Sequence, residues 1–243
     1  ITRPILEYAN TIWSPIISDT NLQKLQHIQN TALRIATGCT ADTNTQHLHD
    51  ECNILPLKQH LILHASQLRQ QAQHPQHPLH HLTTQPPPTR YKKHTIFHNH
   101  NYTINMDTPP ESTTYATIKH NMSLIHTQIV THYLNTRTHN KIINTHAPKI
   151  HKSETTLNRY TRRTLAQLRT NKSPLLQHYK HKLNPHTTTS PLYPLCNLHI
   201  HNTTHLFTCQ HIHTTLTPHD LWQRPTKVTE LLAKWGAGLG WLS

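Results

Sequence analysis

The chain has 243 residues, of which 34% are hydrophobic, 6% are aromatic and 14% are charged. Its 23 Lys and Arg residues outnumber its 10 Asp and Glu residues, and the resulting net charge of +13 attracts polyanions such as nucleic acid. It contains no apolar run of about 18 residues that could span a membrane, and no basic-then-apolar segment typical of a signal peptide. We therefore expect an intracellular protein of the cytoplasm or the nucleus, without a membrane partner.

Histidine is unusually frequent, with 27 residues, beside many Thr, Asn, Gln and Pro residues. Each of these five residue types, like Lys, has a codon built from A and C alone, so a skewed nucleotide composition explains the histidines. A role in metal buffering is the alternative explanation. The first Met is Met106, and we expect the chain to be a fragment of a longer protein.

Residues 1–73 carry apolar residues at helical spacing and are predicted to form a block of four helices. Pro, Gly and capping residues set the predicted bounds of these helices, at 4–15, 18–38, 43–52 and from 56 onward. The second helix has the clearest apolar stripe, formed by Leu22, Leu25, Ile28, Ala32 and Ile35. Short connections between the helices predict a compact helical bundle.

Residues 74–115 are predicted to be a low-complexity linker. Helical spacing is lost there, and Pro86–Pro88, Pro109–Pro110 and scattered His-Pro pairs leave too little apolar surface for independent folding. Helical spacing returns in a basic segment over 116–185. There the spaced residues are Ile118, Met122, Ile125, Ile129 and Tyr133, as Leu57, Leu61, Ala65 and Leu68 are in the helix from 56 onward. Residues 186–243 are predicted to hold a small Cys/His module and a terminal helix. This helix is predicted to begin at Pro225, with a buried edge of Val228, Leu231, Leu232 and Trp235. No strand pattern is convincing anywhere, so the predicted fold class is mainly α.

A predicted helix over about 155–170 separates apolar from cationic residues. Leu157, Thr161, Leu165 and Leu168 share one side, and the other side is predicted to carry Arg159, Arg162, Arg163 and Arg169 with Tyr160 beside them. Guanidinium groups suit phosphate oxygens, and a tyrosine ring can stack on a base of a single strand. We predict that this side contacts nucleic acid; the alternative is a solvated basic face.

Three residues near the end of the chain have the spacing of ligands in a small zinc knuckle, namely Cys196, His205 and Cys209. A Cys-x-x-Cys pair would place the fourth ligand at position 193, where the chain has Tyr193, and a phenol is not a usual zinc ligand. His199 or His201 could supply the fourth ligand instead. The sequence therefore predicts a degenerate zinc site, with a defunct knuckle of merely packed thiols as the alternative.

Several stretches together resemble LINE-type, non-LTR retrotransposon reverse transcriptases, in particular the jockey-like elements. Three stretches resemble the segment after the polymerase palm of these proteins: Leu6-Glu-Tyr-Ala9, Ile12-Trp-Ser-Pro15 and Leu25-Gln-His-Ile-Gln-Asn-Thr-Ala-Leu-Arg-Ile-Ala-Thr-Gly38. One later stretch resembles the arginine-rich helix of these proteins, namely Asn158-Arg-Tyr-Thr-Arg-Arg-Thr-Leu-Ala-Gln-Leu-Arg169. Three further stretches resemble their Cys/His tail: Pro191-Leu-Tyr-Pro-Leu-Cys-Asn197, His205-Leu-Phe-Thr-Cys209 and Asp220-Leu-Trp222. The resemblance covers both ends of the chain and little of residues 74–150.

The resemblance implies a C-terminal fragment of an RNA-directed DNA polymerase, with residues 1–73 in the thumb region and residues 150–243 as an accessory tail. The polymerase of that family holds two metal ions on clustered palm aspartates. This chain has no Asp-Asp pair, and its Asp residues are isolated at positions 19, 42, 50, 107 and 220. We therefore expect the fragment to be non-catalytic.

The expected role of the fragment is to bind the RNA template or the target DNA, together with the remainder of the reverse transcriptase polypeptide. Two other hypotheses remain. The chain could be a His-rich metal-binding protein without a nucleic-acid function, or a non-functional relic of a transposable element. The arginines at 159, 162 and 163 favour nucleic-acid binding over metal buffering, because a metal buffer needs no cationic helix face.

Overall fold

The computed structural model describes residues 2–84, 96–97, 104, 114–186 and 190–239. This part of the chain is mainly α-helical and has only two isolated β-bridges, which confirms the predicted fold class. The helices are α1 Thr2–Glu7, α2 Asn10–Trp13, α3 Asp19–Thr37, α4 Thr45–Cys52, α5 Leu57–Ala72, α6 His80–Thr84, α7 Tyr115–Thr136, α8 Arg159–Arg169, α9 Gln177–Leu183, α10 Thr203–Thr208, α11 Asp220–Gln223 and α12 Pro225–Leu239, with a 3-10 helix over Lys152–Thr156.

The chain divides into two compact units, each built from two stretches of sequence. The first unit contains Ile1–Ala32 and Leu55–Arg137, and the second contains Leu33–Ile54 and Thr138–Ser243. These units cut across the four segments expected from the sequence, because residues 33–54 belong with the C-terminal half of the chain. The expected segment boundaries themselves stay a prediction.

The first unit is organised around α5. Leu57 and Leu61 are buried with Leu22 of α3, and on another side of α5 Leu63 is buried with Ile125 and Ile129 of α7. Leu57 and Leu61 belong to the predicted apolar face of α5, and Ile125 and Ile129 belong to that of α7, whereas Leu63 lies outside the predicted spacing.

The second unit contains the largest apolar core. Its buried members come from residues 142–143, from α8, α9, α10, α11 and α12 and from the turns between these helices, and include Leu165, Leu168, Leu176, Tyr179, Tyr193, Leu206, Leu221, Trp222 and Val228. Residues 33–54 add a second buried cluster, in which Leu33, Cys39 and Leu48 contact Ala166 of α8. Helix α8 therefore has apolar neighbours on two sides.

Three details differ from the sequence expectations. The first predicted helix is broken at Ala9, whose backbone is left-handed (φ 50°, ψ 29°). The predicted helix over 155–170 begins only at Arg159, where the Asn158 side chain accepts the Thr161 amide at 2.8 Å and thereby caps α8. In the predicted stripe of α3, Ile28 and Ile35 are 46% and 67% exposed.

The predicted linker lies largely outside the described residues, but α6 falls within it. The terminal helix begins at Pro225 as predicted, and Val228 is buried while Leu231 and Leu232 are half-buried. The side chain of Trp235, the fourth residue of its predicted apolar edge, lies outside the described residues.

Candidate metal centre and cationic helix face

A tight turn over residues 193–197 places Cys196. The Tyr193 amide donates to the His199 carbonyl at 2.9 Å, and the Asn197 amide donates to the Tyr193 carbonyl at 2.8 Å. Asn197 has a φ of 53°, a left-handed conformation that Asn tolerates better than most residues. Local hydrogen bonds and one suitable residue type therefore fix the position of the Cys196 side chain.

The other two candidate ligands are His205, which lies on the short helix α10, and Cys209, which follows it. The Asn202 side chain accepts the amide of His205 at 2.8 Å and so caps this helix. Cys209 follows the last residue of α10, and its amide donates to the His205 carbonyl at 3.0 Å. One ligand atom each of Cys196, His205 and Cys209 lies within 4.8 Å of the others, and the Cys196 Sγ is 3.3 Å from the His205 Nε2. The structure thus brings the three predicted ligands together.

The electrostatics around two of these residues favour the forms that bind metal. Hydrogen bonds from the backbone amides, that of Leu198 above all, lower the pKa of the Cys196 thiol against the opposing effect of burial. Burial and the neighbouring His199 lower the pKa of His205 and keep its imidazole neutral. Burial raises the pKa of Cys209, although the His211 amide acts against this rise. A thiolate and a neutral imidazole are the species that zinc binds.

Tyr193 occupies the position that a fourth ligand would need. Its side chain is fully buried, its ring centroid lies 4.3 Å from that of His201 and 5.5 Å from that of His205, and its hydroxyl has no hydrogen-bond partner among the described residues. Burial, followed by the two cysteines, raises the pKa of the phenol to about 12. Tyr193 is therefore a neutral, packed ring, which does not fit the role of a zinc ligand.

Neither histidine expected as a fourth ligand belongs to the group of three donors. His201 is fully buried, and its Nδ1 accepts the Gln177 amide at 3.1 Å. Burial, assisted by His178, His205 and Lys180, lowers the pKa of His201 to about 3. His199 is exposed, with its ring centroid 5.2 Å from that of His205. A cleft of about 550 Å³ borders the three donors and gives water access to them.

Helix α8 carries the predicted cationic residues, and three of its four arginines are exposed. Arg159, Arg162 and Arg163 are exposed, and Tyr160 is 57% exposed. The Arg159 Nη2 donates to the Ile35 carbonyl at 3.4 Å. The methylene groups of Arg163 lie directly over Gly38, where a Cβ would be only 2.5 Å from the Arg163 Cγ.

The expectation that Arg169 joins this exposed surface is wrong. Its side chain is 1% exposed, and its guanidinium donates to Glu51 at 2.5 Å, to Glu154 and to the Leu221 carbonyl. A buried guanidinium requires carboxylate and carbonyl partners, and here they satisfy it within the core of the second unit. Arg169 is therefore a structural residue.

A second group of metal-binding residue types lies in the first unit and was not predicted from the sequence. One ligand atom each of Glu7, His60 and His64 lies within 4.8 Å of the others. The signal in the sequence was the pair of histidines four residues apart on a predicted helix, a spacing that places both on one face. In a chain with 27 histidines that signal is weak without the third residue, which is distant in sequence.

Among the described helices, none is both long and apolar enough to cross a membrane. No protein-family model, no curated protein and no solved structure matches this chain.

Proposed function

We propose that this chain is a non-catalytic C-terminal portion of a LINE-type reverse transcriptase that helps to bind the RNA template or the target DNA. The observation that carries this proposal is the exposed cationic face of α8, formed by Arg159, Arg162 and Arg163 beside the exposed ring of Tyr160. Exposed guanidinium groups neutralise phosphates, which is the main source of affinity for nucleic acid of any sequence.

The surroundings of Tyr160 support binding of a single strand. A shallow pocket of about 110 Å³ between α8 and α12 is lined by Tyr160, Thr161, Thr164, Leu175, Thr229, Leu232 and Ala233. At about 100° per residue along a helix, Tyr160 lies between Arg163 and the pocket residue Thr164. An unstacked base could lie against Tyr160 while its phosphates meet Arg159 and Arg163, as in other single-strand binding surfaces.

Zinc at Cys196, His205 and Cys209 would support the same function by ordering the turn at 193–197 and α10. The three donors fit the ligand types that zinc prefers, and water would complete the coordination because Tyr193 does not. When bound, the metal would crosslink the turn at 193–197 to α10. In this proposal the zinc is structural.

Replacing Arg159, Arg162 and Arg163 by Ala should weaken binding of single-stranded RNA and DNA and flatten its salt dependence. Each lost phosphate contact reduces the number of released counterions and lowers the slope of log K against log salt by about 0.7 for a single strand. The measurement is fluorescence anisotropy of a labelled oligonucleotide between about 50 and 200 mM salt.

The matched control replaces Lys24, Lys58 and Lys119 by Ala. These lysines are exposed in the first unit, and their replacement removes the same total charge as replacement of the three arginines. This control should retain most of the affinity and of the salt slope. Equal effects of the two triple variants would mean that only net charge matters, and the α8 face would lose its role. A parent chain that binds no oligonucleotide would contradict the proposed function itself.

A second candidate function is metal binding without nucleic acid. The observation that favours it is the presence of two groups of metal-binding residue types, one in each compact unit. A metal-binding protein would take up zinc stoichiometrically and would show no affinity for oligonucleotides at about 50 mM salt. A relic would show neither activity, so the same two titrations separate the three hypotheses.

A further inference from the structure

We propose that Glu7, His60 and His64 form a second metal site, suited to Zn²⁺ or another divalent transition metal. The three side chains offer one carboxylate oxygen and two imidazole nitrogens, all within 4.8 Å of one another. Two imidazoles and one carboxylate are a ligand set that zinc accepts while keeping a further position for water. The inference concerns the first unit alone and does not depend on nucleic-acid binding.

Helix α5 places the two imidazoles together. His60 and His64 are four residues apart and therefore lie on the same face, one turn from each other. Their ring centroids are 4.0 Å apart, with the ring planes inclined at 57°. Two histidines at this spacing on a rigid helix form a preorganised chelate, because the backbone already holds both ligands before the metal arrives.

The turn between α1 and α2 brings the carboxylate to the histidines. Glu7 ends α1, and the left-handed Ala9 interrupts the helical path before α2. The Glu7 Oε1 lies 2.9 Å from the His60 Nε2, with each side chain only 16% exposed. A left-handed conformation is uncommon for Ala, which marks this turn as a special position in the chain.

Asn10, the first residue of α2, orients the second imidazole. The Asn10 amide group lies 2.8 Å from the His64 Nδ1, and Asn10 is 4% exposed. Histidines that bind metal commonly engage the second ring nitrogen in a hydrogen bond that fixes the ring orientation. The contact with Asn10 therefore restrains the rotation of the His64 ring.

The contact between Glu7 and His60 is close to the spacing of neighbouring ligands around a metal ion. Zinc bonds of about 2.0–2.1 Å in a tetrahedron separate neighbouring ligand atoms by roughly 3.3 Å. The 2.9 Å contact between the Glu7 Oε1 and the His60 Nε2 thus needs to lengthen by only a few tenths of an ångström. A bound cation would replace this direct contact with one bond from each side chain to the metal.

The test is a competition titration of the full chain with a chromophoric chelator, in a Cys196→Ser, Cys209→Ser background that removes the thiols of the other site. We expect this background protein to bind one equivalent of Zn²⁺. His60→Ala or His64→Ala should abolish that equivalent. Asn10→Ala should weaken binding about tenfold or more, because the residue orients a ligand without contacting the metal.

The matched controls are His120→Ala and His126→Ala, which remove exposed histidines of α7 and should leave the equivalent unchanged. Circular dichroism of each variant checks that the helices are retained, and Co²⁺ in place of Zn²⁺ reports the coordination geometry by its visible spectrum. The proposal fails if the background protein binds no ion, or if the α5 variants and the α7 controls bind Zn²⁺ equally well.

Discussion

Replacing Arg169 by Ala is expected to lower the free energy of unfolding by about 3–5 kcal/mol. The Arg169 side chain is 1% exposed, and its guanidinium donates to Glu51, Glu154 and the Leu221 carbonyl. Removal of the guanidinium would leave two carboxylates in the core without their cation. The side chains of Glu51 and Glu154 are only 7% and 10% exposed, so water cannot replace the lost partner.

The measurement is equilibrium unfolding in urea, followed by circular dichroism. Arg162→Ala is the matched control, because it removes an exposed arginine from the same helix and should change stability by less than about 0.5 kcal/mol. A variant that combines Arg169→Met with Glu51→Leu and Glu154→Leu should recover much of the lost stability, since no uncompensated charge remains. An Arg169→Ala variant as stable as the control would mean that the guanidinium is not buried in solution.

Replacing Tyr193 by Cys is expected to raise the affinity of the second unit for Zn²⁺ by roughly 100-fold or more, equivalent to about 2.8 kcal/mol. The substitution puts a thiolate at the corner now filled by a neutral phenol, and a closed set of four ligands contributes its binding free energy to folding. The turn at 193–197 already has the hydrogen bonds that a ligand at position 193 requires.

Affinity is measured by chelator competition on the full chain, in a His60→Ala, His64→Ala background that removes the other group of ligands. Tyr193→Phe is the control, because it keeps the ring and removes only a buried hydroxyl that lacks a hydrogen-bond partner among the described residues. It should bind Zn²⁺ like the parent and be no less stable. If Tyr193→Cys gains nothing, a histidine such as His199 already completes the site in solution.

The parts of the fold and of the candidate sites that sequence could predict are the local ones. Apolar spacing predicted α5 and α7, because burial of a helix face depends on residues three and four positions apart. The grouping of Cys196, His205 and Cys209 was predictable for the same reason, since one turn and one short helix connect all three. The resemblance to reverse transcriptases is not tested by these features and stays a prediction.

The parts that sequence could not predict depend on contacts between distant residues. The helical pattern assigned Arg169 to the exposed side, and only the approach of Glu51 and Glu154 makes its burial tolerable. Likewise, nothing near His60 and His64 in the sequence predicts that Glu7 lies beside them. Tyr193 was recognised as an unusual residue for a ligand position, but its complete burial depends on the ring of His201 beside it.

The discontinuous second unit has a consequence for folding during synthesis. Residues 33–54 leave the ribosome well before residues 138–243, although Leu33, Cys39 and Leu48 bury their side chains with Ala166 of α8. At ordinary translation rates this delay is on the order of ten seconds. During that time the apolar residues of α4 and its neighbours are available to chaperones or to other chains, so the yield of folded protein should depend on how that early segment is protected.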